Sequence, residues 1–112
     1  MSRMEQGKTA EVFQLQAELC KSLADAKRLM IIHELQEGRK SVGELAEALD
    51  LKQSNTSQHL AVLRKAGVAV PDRQGSTVYY SLSTPRIAAA CDMVRAALAE
   101  QLQRTGGLTD YL

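Results

Sequence analysis

The chain has 112 residues, 45% of them apolar and 24% charged, with a formal net charge of +1. That length suits a single domain with at most one appended oligomerisation element, and excludes two domains that each carry a core. A net charge so near zero excludes a global field that would draw the chain onto a polyanion, so any nucleic-acid footprint has to be local.

No stretch approaches the ~18 uninterrupted apolar residues of a membrane span, and the opening MSRMEQGKTAEV lacks the apolar middle of a secretory signal. A cytoplasmic protein without membrane partners is expected. Cys20 and Cys91 are too few for a disulfide scaffold and should be thiols in a reducing compartment. With one Phe, three Tyr and no Trp, the core has to be built from Leu, Ile, Val and Ala, which favours helical packing.

No repeat, low-complexity run or linker divides the chain, so residues 1–112 read as one domain, with frayed ends expected at 1–9 and 105–112. From Ala10 to Leu23, Val12, Ala17, Leu19, Cys20 and Leu23 recur at three- and four-residue intervals, joined by Phe13, and describe the apolar face of a first helix. Asp25 offers an N-cap to a second helix, whose Leu29, Met30, Ile32 and Leu35 lead to Gly38. Ser41-Val42-Gly43-Glu44 has the form of a capping box and opens a third, short helix with Leu45, Ala48 and Leu49 inward. After a turn at Asp50-Leu51, a fourth helix is expected over roughly Gln53–Ala66, with Thr56, Leu60 and Leu63 inward and Gly67 as its stop.

Two short helices on so tight a turn, within 41–66, predict helix-turn-helix geometry. Over 68–82, Val68-Ala69-Val70 and Thr77 to Leu82 are rich in β-branched and aromatic residues and flank a turn-like Arg73-Gln74-Gly75-Ser76, which predicts a two-stranded wing. Thr84-Pro85 then supplies an N-cap and an N1 proline for a last helix over 86–104, closed by Gly106-Gly107. The expected class is mainly α with a two-stranded β wing, a winged helix-turn-helix.

A helix end in the major groove must expose short, uncharged hydrogen-bonding side chains. Ser54, Ser57 and Gln58 meet that need because they fall opposite Thr56, Leu60 and Leu63, with Gln53 beside them and His59 in the same helix. The same stretch would also suit a plain solvated helix face. Local charge favours DNA: from Lys52 to Ser76 the cations Lys52, Arg64, Lys65 and Arg73 face Asp72 alone, whereas most carboxylates lie before residue 52. Arg73, near the wing tip, is the candidate for a DNA backbone or minor-groove contact.

In the last helix Ile87, Cys91, Val94, Leu98 and Leu102 form a stripe that one small domain need not bury alone, and its many alanines allow close helix approach. The 86–104 helix is therefore expected to pair two copies of the chain. That would set two reading helices about one turn of DNA apart, ~34 Å.

Leu23 to Leu29, Ser41 to Ala46, Ser57 to Gly67 and Gly75 to Leu82 together resemble the ArsR/SmtB family of winged-helix repressors, in order and spacing, over roughly residues 15–100. The resemblance implies a homodimer held by the first and last helices, a double-stranded operator with two-fold symmetry, and release of DNA by an inducer. It departs from the family at Ala26, where Pro is frequent, at Lys52, where a capping Ser is frequent, and at Ser76, where Arg or Lys is common.

Members of the family sense metals or metalloids, yet the positions implied for thiolate ligands hold Ser41 and Gly43 here. The positions implied for interfacial zinc hold Thr84, Arg86, Ala97 and Glu100, and no metal site or cofactor is expected. The register of dithiol members falls at His33 and Ala99. Cys20 and Cys91 remain as candidate sensors, with reactive sulfur or an oxidant favoured over a metal as inducer, although both thiols also suit an apolar packing role. No phosphate loop, catalytic triad order or ligand cluster suggests an enzyme. The alternatives are a winged-helix protein-interaction module without DNA binding, and a metal- or metalloid-responsive repressor.

Overall fold

Residues 3–106 are described by the computed structural model, with side chains described from Gly7 onward. The elements follow in the order α1 (Arg3–Leu23), α2 (Ala26–Leu35), β1 (Lys40–Ser41), α3 (Val42–Leu49), α4 (Gln53–Lys65), β2 (Ala69–Gln74), β3 (Thr77–Leu82) and α5 (Pro85–Thr105). Most helix starts are fixed by local chemistry. The Asp25 carboxylate accepts from the N–H groups of Lys27 (2.8 Å) and Arg28 (3.2 Å) at the start of α2. Thr84 caps α5 through the Arg86 N–H, with Pro85 in its first turn.

α3 opens on the expected reciprocal box, in which the Glu44 N–H donates to Ser41 Oγ at 3.2 Å and the Ser41 N–H donates to Glu44 Oε1 at 3.0 Å. It closes on Asp50 in the left-handed region, φ 52°, a conformation that Asp tolerates better than most residues. That single residue reverses the chain so that only Leu51 and Lys52 separate it from α4.

The sheet is antiparallel with strand order β1-β3-β2. The wing is thus extended by a third strand, in which Lys40 and Ser41 pair with Tyr80 and Tyr79. β2 and β3 pair from Ala69↔Leu82 to Gln74↔Thr77, and Gly75 at φ 62° begins the two-residue turn between them. Cross-strand partners share a face. Ala69 is buried and Tyr80 and Leu82 pack on the core, so Pro71, Arg73 and Val78 lie on the helix side of the wing and Asp72, Gln74 and Tyr79 on the other.

Ile31, Ile32 and Leu35 of α2, Leu45 of α3, Leu60 and Leu63 of α4, Val68 and Ala69 at the wing base and Ala88 of α5 make one buried cluster. Three expectations need correction. In α2, Ile31 is buried and Leu29 and Met30 are exposed; in α3, Ala46 is buried and Ala48 is exposed. Among the described side chains of α1, only Leu19 and Leu23 reach the core, while Val12, Phe13, Ala17 and Cys20 stand in solvent.

The protomer is open as well as small. Its Cα radius of gyration is 16.8 Å and its extents are 52 × 42 × 21 Å, whereas a compact chain of this length would have a radius of about 13 Å. The excess comes from the two 21-residue helices α1 and α5, which project beyond the core. Among the described residues no helix is long and apolar enough to cross a membrane.

Candidate nucleic-acid interface

α4 is held from beneath by Thr56, Leu60 and Leu63, all three fully buried. The Thr56 hydroxyl is satisfied by donating to the Lys52 carbonyl at 2.9 Å, so burying it leaves no polar group unpaired. With that face fixed, helical geometry turns Ser54, Ser57 and Gln58 away from it, and Gln53 is open to solvent at the start of the helix, so that all four are exposed. Arg64 and Lys65 occupy the last turn, exposed, where their charge complements the helix dipole. Lys52 sits at the N-cap without a side-chain cap hydrogen bond, and thereby places a cation where the helix presents uncapped N–H groups.

His59 stands apart from that set. Its side chain is only 19% exposed, with Nδ1 3.4 Å from Arg28 Nη1 and 3.8 Å from Asp25 Oδ1. The structure therefore turns its ring toward the start of α2, away from the exposed edge that carries Ser57 and Gln58. Asp25 is held below the ordinary carboxylate range, first by the Arg28 N–H, with further help from the Lys27 N–H and the charge of Arg28.

The wing adds a partnered carboxylate. Asp72 Oδ2 accepts from Gln74 Nε2 at 2.9 Å and meets Arg39 Nη1 at 3.5 Å. The Arg39 guanidinium also lies 4.5 Å from the Tyr79 ring centroid, a stacked cation that braces the outer face. Arg73, exposed and on the helix side of the hairpin, is left next to a carboxylate whose charge is already engaged. Arg39 and Arg28 are contributors that sequence reasoning missed. Their partners lie 33 and 31 residues away, and only the folded chain brings them together.

The dimerisation candidates divide in the same way. Val94 is 71% exposed and Leu98 44%, while Ile87 packs on the chain's own core and Cys91 is half-buried. Met93 is exposed beside them, and Val12, Phe13 and Leu15 are exposed on α1. Cys20 is exposed. The Cys91 thiol is pushed above its ordinary value, chiefly by burial and then by Asp92, with Arg95 opposing and Cys20 adding to the push. A thiol in that state is mostly protonated at neutral pH and reacts slowly. No group of three or more His, Cys, Asp or Glu that could hold a metal ion occurs among the described residues.

A short helix presented on a tight turn, with a β hairpin beside it and a buried face opposite its exposed polar edge, defines a winged helix-turn-helix domain of the kind that transcriptional regulators use. Residues 25–69 match the profile of the family described as "Bacterial regulatory protein, arsR family". The chain is 41% identical over 92 residues to the uncharacterized HTH-type transcriptional regulator Rv0081 of Mycobacterium tuberculosis, covering 81% of each chain. It is 40% identical over 76 residues to the transcriptional activator HlyU of Vibrio cholerae, covering 68% of this chain and 70% of that one.

The crystal structure of Rv0081 superposes with a TM-score of 0.75 at 39% identity, over 86% of this chain and 97% of the other. The solution structure of a homodimeric winged helix-turn-helix domain of Mb0332 from Mycobacterium bovis gives a TM-score of 0.75 at 25% identity, over 91% of both chains. The chain belongs to the ArsR family of DNA-binding transcriptional regulators, which are not enzymes.

Proposed function

We propose that this protein is a homodimeric repressor that reads a palindromic operator with the exposed edge of α4. The observation that carries the reading is that edge itself. Gln53, Ser54, Ser57 and Gln58 are uncharged donors and acceptors, exposed together on a helix whose opposite face is fully buried, between the cations Lys52, Arg64, Lys65 and Arg73. Amides and hydroxyls of that reach suit base edges in the major groove, and the cations suit phosphates. His59 contributes from behind the edge.

The dimer is supported by the open shape of the protomer and by the apolar residues that α1 and α5 leave uncovered, Val12, Phe13, Leu15, Met93, Val94 and Leu98. A two-fold contact through them duplicates the reading helix, and a dimer bound across a promoter excludes polymerase. For the signal, oxidation that joins Cys20 to Cys91, with two protons and two electrons passing to the oxidant, would restrain α1 against α5 and change the spacing of the reading helices. The exposed Cys20 is the thiol that an oxidant meets first.

The test is selection of duplexes from a random-sequence pool by the purified protein, followed by affinity measurements over a salt series. The expected product is an inverted repeat whose half-sites lie about ten base pairs apart, bound with an affinity that falls steeply with salt. Enrichment of no sequence by a protein that remains dimeric would favour a protein-interaction module instead.

A further inference from the structure

The ring of His59 and the guanidinium of Arg28 meet where α1, α2 and α4 converge. We propose that Ser22, Asp25, Arg28 and His59 form a joint that fixes the pose of the reading helix on the α1–α2 junction, with Arg28 and His59 as positioning residues for DNA recognition. The inference rests on the DNA-reading role assigned to α4 above.

Arg28 uses separate arms of its fork. Nε donates to the Ser22 carbonyl at 2.6 Å, satisfying one of the carbonyls that the last turn of α1 leaves without a helical partner. Nη1 reaches His59 Nδ1 at 3.4 Å. A guanidinium has only donors, so the joint requires Nδ1 to accept and the ring proton to sit on Nε2. Asp25 completes the joint from the other side, capping α2 through the Lys27 and Arg28 N–H groups and so fixing the turn that carries the guanidinium.

The rest of the seat of α4 is apolar. Leu60 and Leu63 resist removal of the helix from the core but resist a small rotation about its axis poorly, because burial is not directional. A hydrogen bond on one flank supplies that direction. His59 follows Gln58 in the chain, so a rotation that breaks the contact with Arg28 carries Ser57 and Gln58 around with it. The same guanidinium holds the end of α1, whose exposed residues Val12, Phe13 and Leu15 are offered to the partner copy, so the joint ties the dimer seam to the angle of the reading edge. Lysine cannot replace arginine here, since one ammonium cannot occupy both arms of the fork.

Three variants test the joint: Arg28→Lys, His59→Leu, and His59→Asn, in which Oδ1 can accept where Nδ1 did. The probe is the duplex that the wild-type protein enriches from a random pool, with a scrambled duplex as control. Arg28→Lys and His59→Leu are each expected to weaken binding to the enriched duplex about tenfold, the size of one charge-assisted hydrogen bond, and to leave the scrambled duplex unaffected. His59→Asn is expected to hold within about twofold of wild type, and the double variant Arg28→Lys/His59→Leu to be no weaker than either single one.

In the free protein, ¹⁵N spectra of the imidazole should report the proton on Nε2. Wild-type affinity in His59→Leu, an equal loss in His59→Asn and His59→Leu, or a proton on Nδ1 would each overturn the joint. Failure of the wild-type protein to enrich any duplex would instead overturn the DNA-reading role, and the tautomer measurement, which uses no DNA, separates the two failures.

Discussion

Val94→Asp is the sharpest perturbation of the proposed dimer, because it touches little else. Val94 is 71% exposed in the protomer, so an aspartate there costs the isolated chain almost nothing in packing. Full burial of a valine or leucine side chain contributes about 1.5–3 kcal/mol, so covering the exposed seven-tenths of Val94 contributes about 1–2 kcal/mol per copy. A carboxylate in the same place must also be stripped of water without a partner, which raises the cost to roughly 2–3 kcal/mol per copy. In a two-fold interface each substitution counts twice, giving about 4–6 kcal/mol and a dimer dissociation constant raised by roughly 10³–10⁴. Sedimentation equilibrium over a concentration series reads that constant directly, while far-UV circular dichroism should stay at the wild-type helix content. A Val94→Asp protein that dimerises as tightly as wild type, or a wild-type protein that is monomeric at micromolar concentration, would refute the reasoning.

Base reading and phosphate contact should separate by mutation: Ser57→Ala and Gln58→Ala are expected to reduce discrimination between the selected duplex and its single-base variants by about 1–3 kcal/mol at the position each reads. Arg73→Ala should instead weaken all duplexes alike and reduce the slope of log affinity against log salt by about one, as read in fluorescence anisotropy titrations. Glu44 is held below its ordinary value of 4.5, first by the Ser41 N–H and then by its hydroxyl. Its contribution to stability is therefore complete above that value and is lost as pH falls through the lowered one, so Glu44→Gln should flatten the fall in melting temperature below pH 4.5. For the thiols, diamide should lower the affinity of the wild-type protein for the selected duplex and leave Cys20→Ser and Cys91→Ser unaffected, and an equal response of all three proteins discards the thiol switch.

The elements that were legible in the sequence are those whose boundaries are set by neighbours in the chain. Asp25, the Ser41–Glu44 box and Thr84-Pro85 each complete their hydrogen bonds within three residues, so residue type and spacing were enough to find them. The buried face of α4 was legible for a related reason, since Thr56, Leu60 and Leu63 stand out at helical spacing among polar residues. Where the apolar signal is continuous, the period cannot choose. In Leu29-Met30-Ile31-Ile32 all four residues are apolar, and burial of Ile31 and Ile32 was decided by the packing of α2 on α4. Ala46 and Ala48 of α3 pose the same ambiguity in small residues. β1 could not be foreseen, because two residues carry no periodicity and the pairing is made by Tyr79 and Tyr80, almost forty positions later. The inward lean of His59 was legible in part, since on a helical wheel it lies nearer Leu63 than Gln58, but its partner Arg28, 31 residues away, was not.

Electrostatics then ties these pieces to the proposed function. A net charge of +1 would attract DNA weakly if it were spread evenly, so what matters is which charges remain free near the reading edge. Asp72, the sole carboxylate between Lys52 and Ser76, is engaged by Arg39 and Gln74 on the outer face of the wing, while Arg73 projects from the helix side. At the other end of the edge, Lys52 stands where Ser, Thr, Asp or Asn would have capped α4 and contributed about 1 kcal/mol to its stability. Its ammonium adds positive charge to the positive end of the helix dipole, a local repulsion that weakens α4 in the free protein and that a phosphate placed there would relieve. A chain selected for the stability of the free domain alone would have little reason to leave that helix uncapped beside a cation. The arrangement makes sense if the stable partner of the α4 N-terminus is the DNA backbone, and it accounts for a binding surface on a molecule whose total charge conceals it.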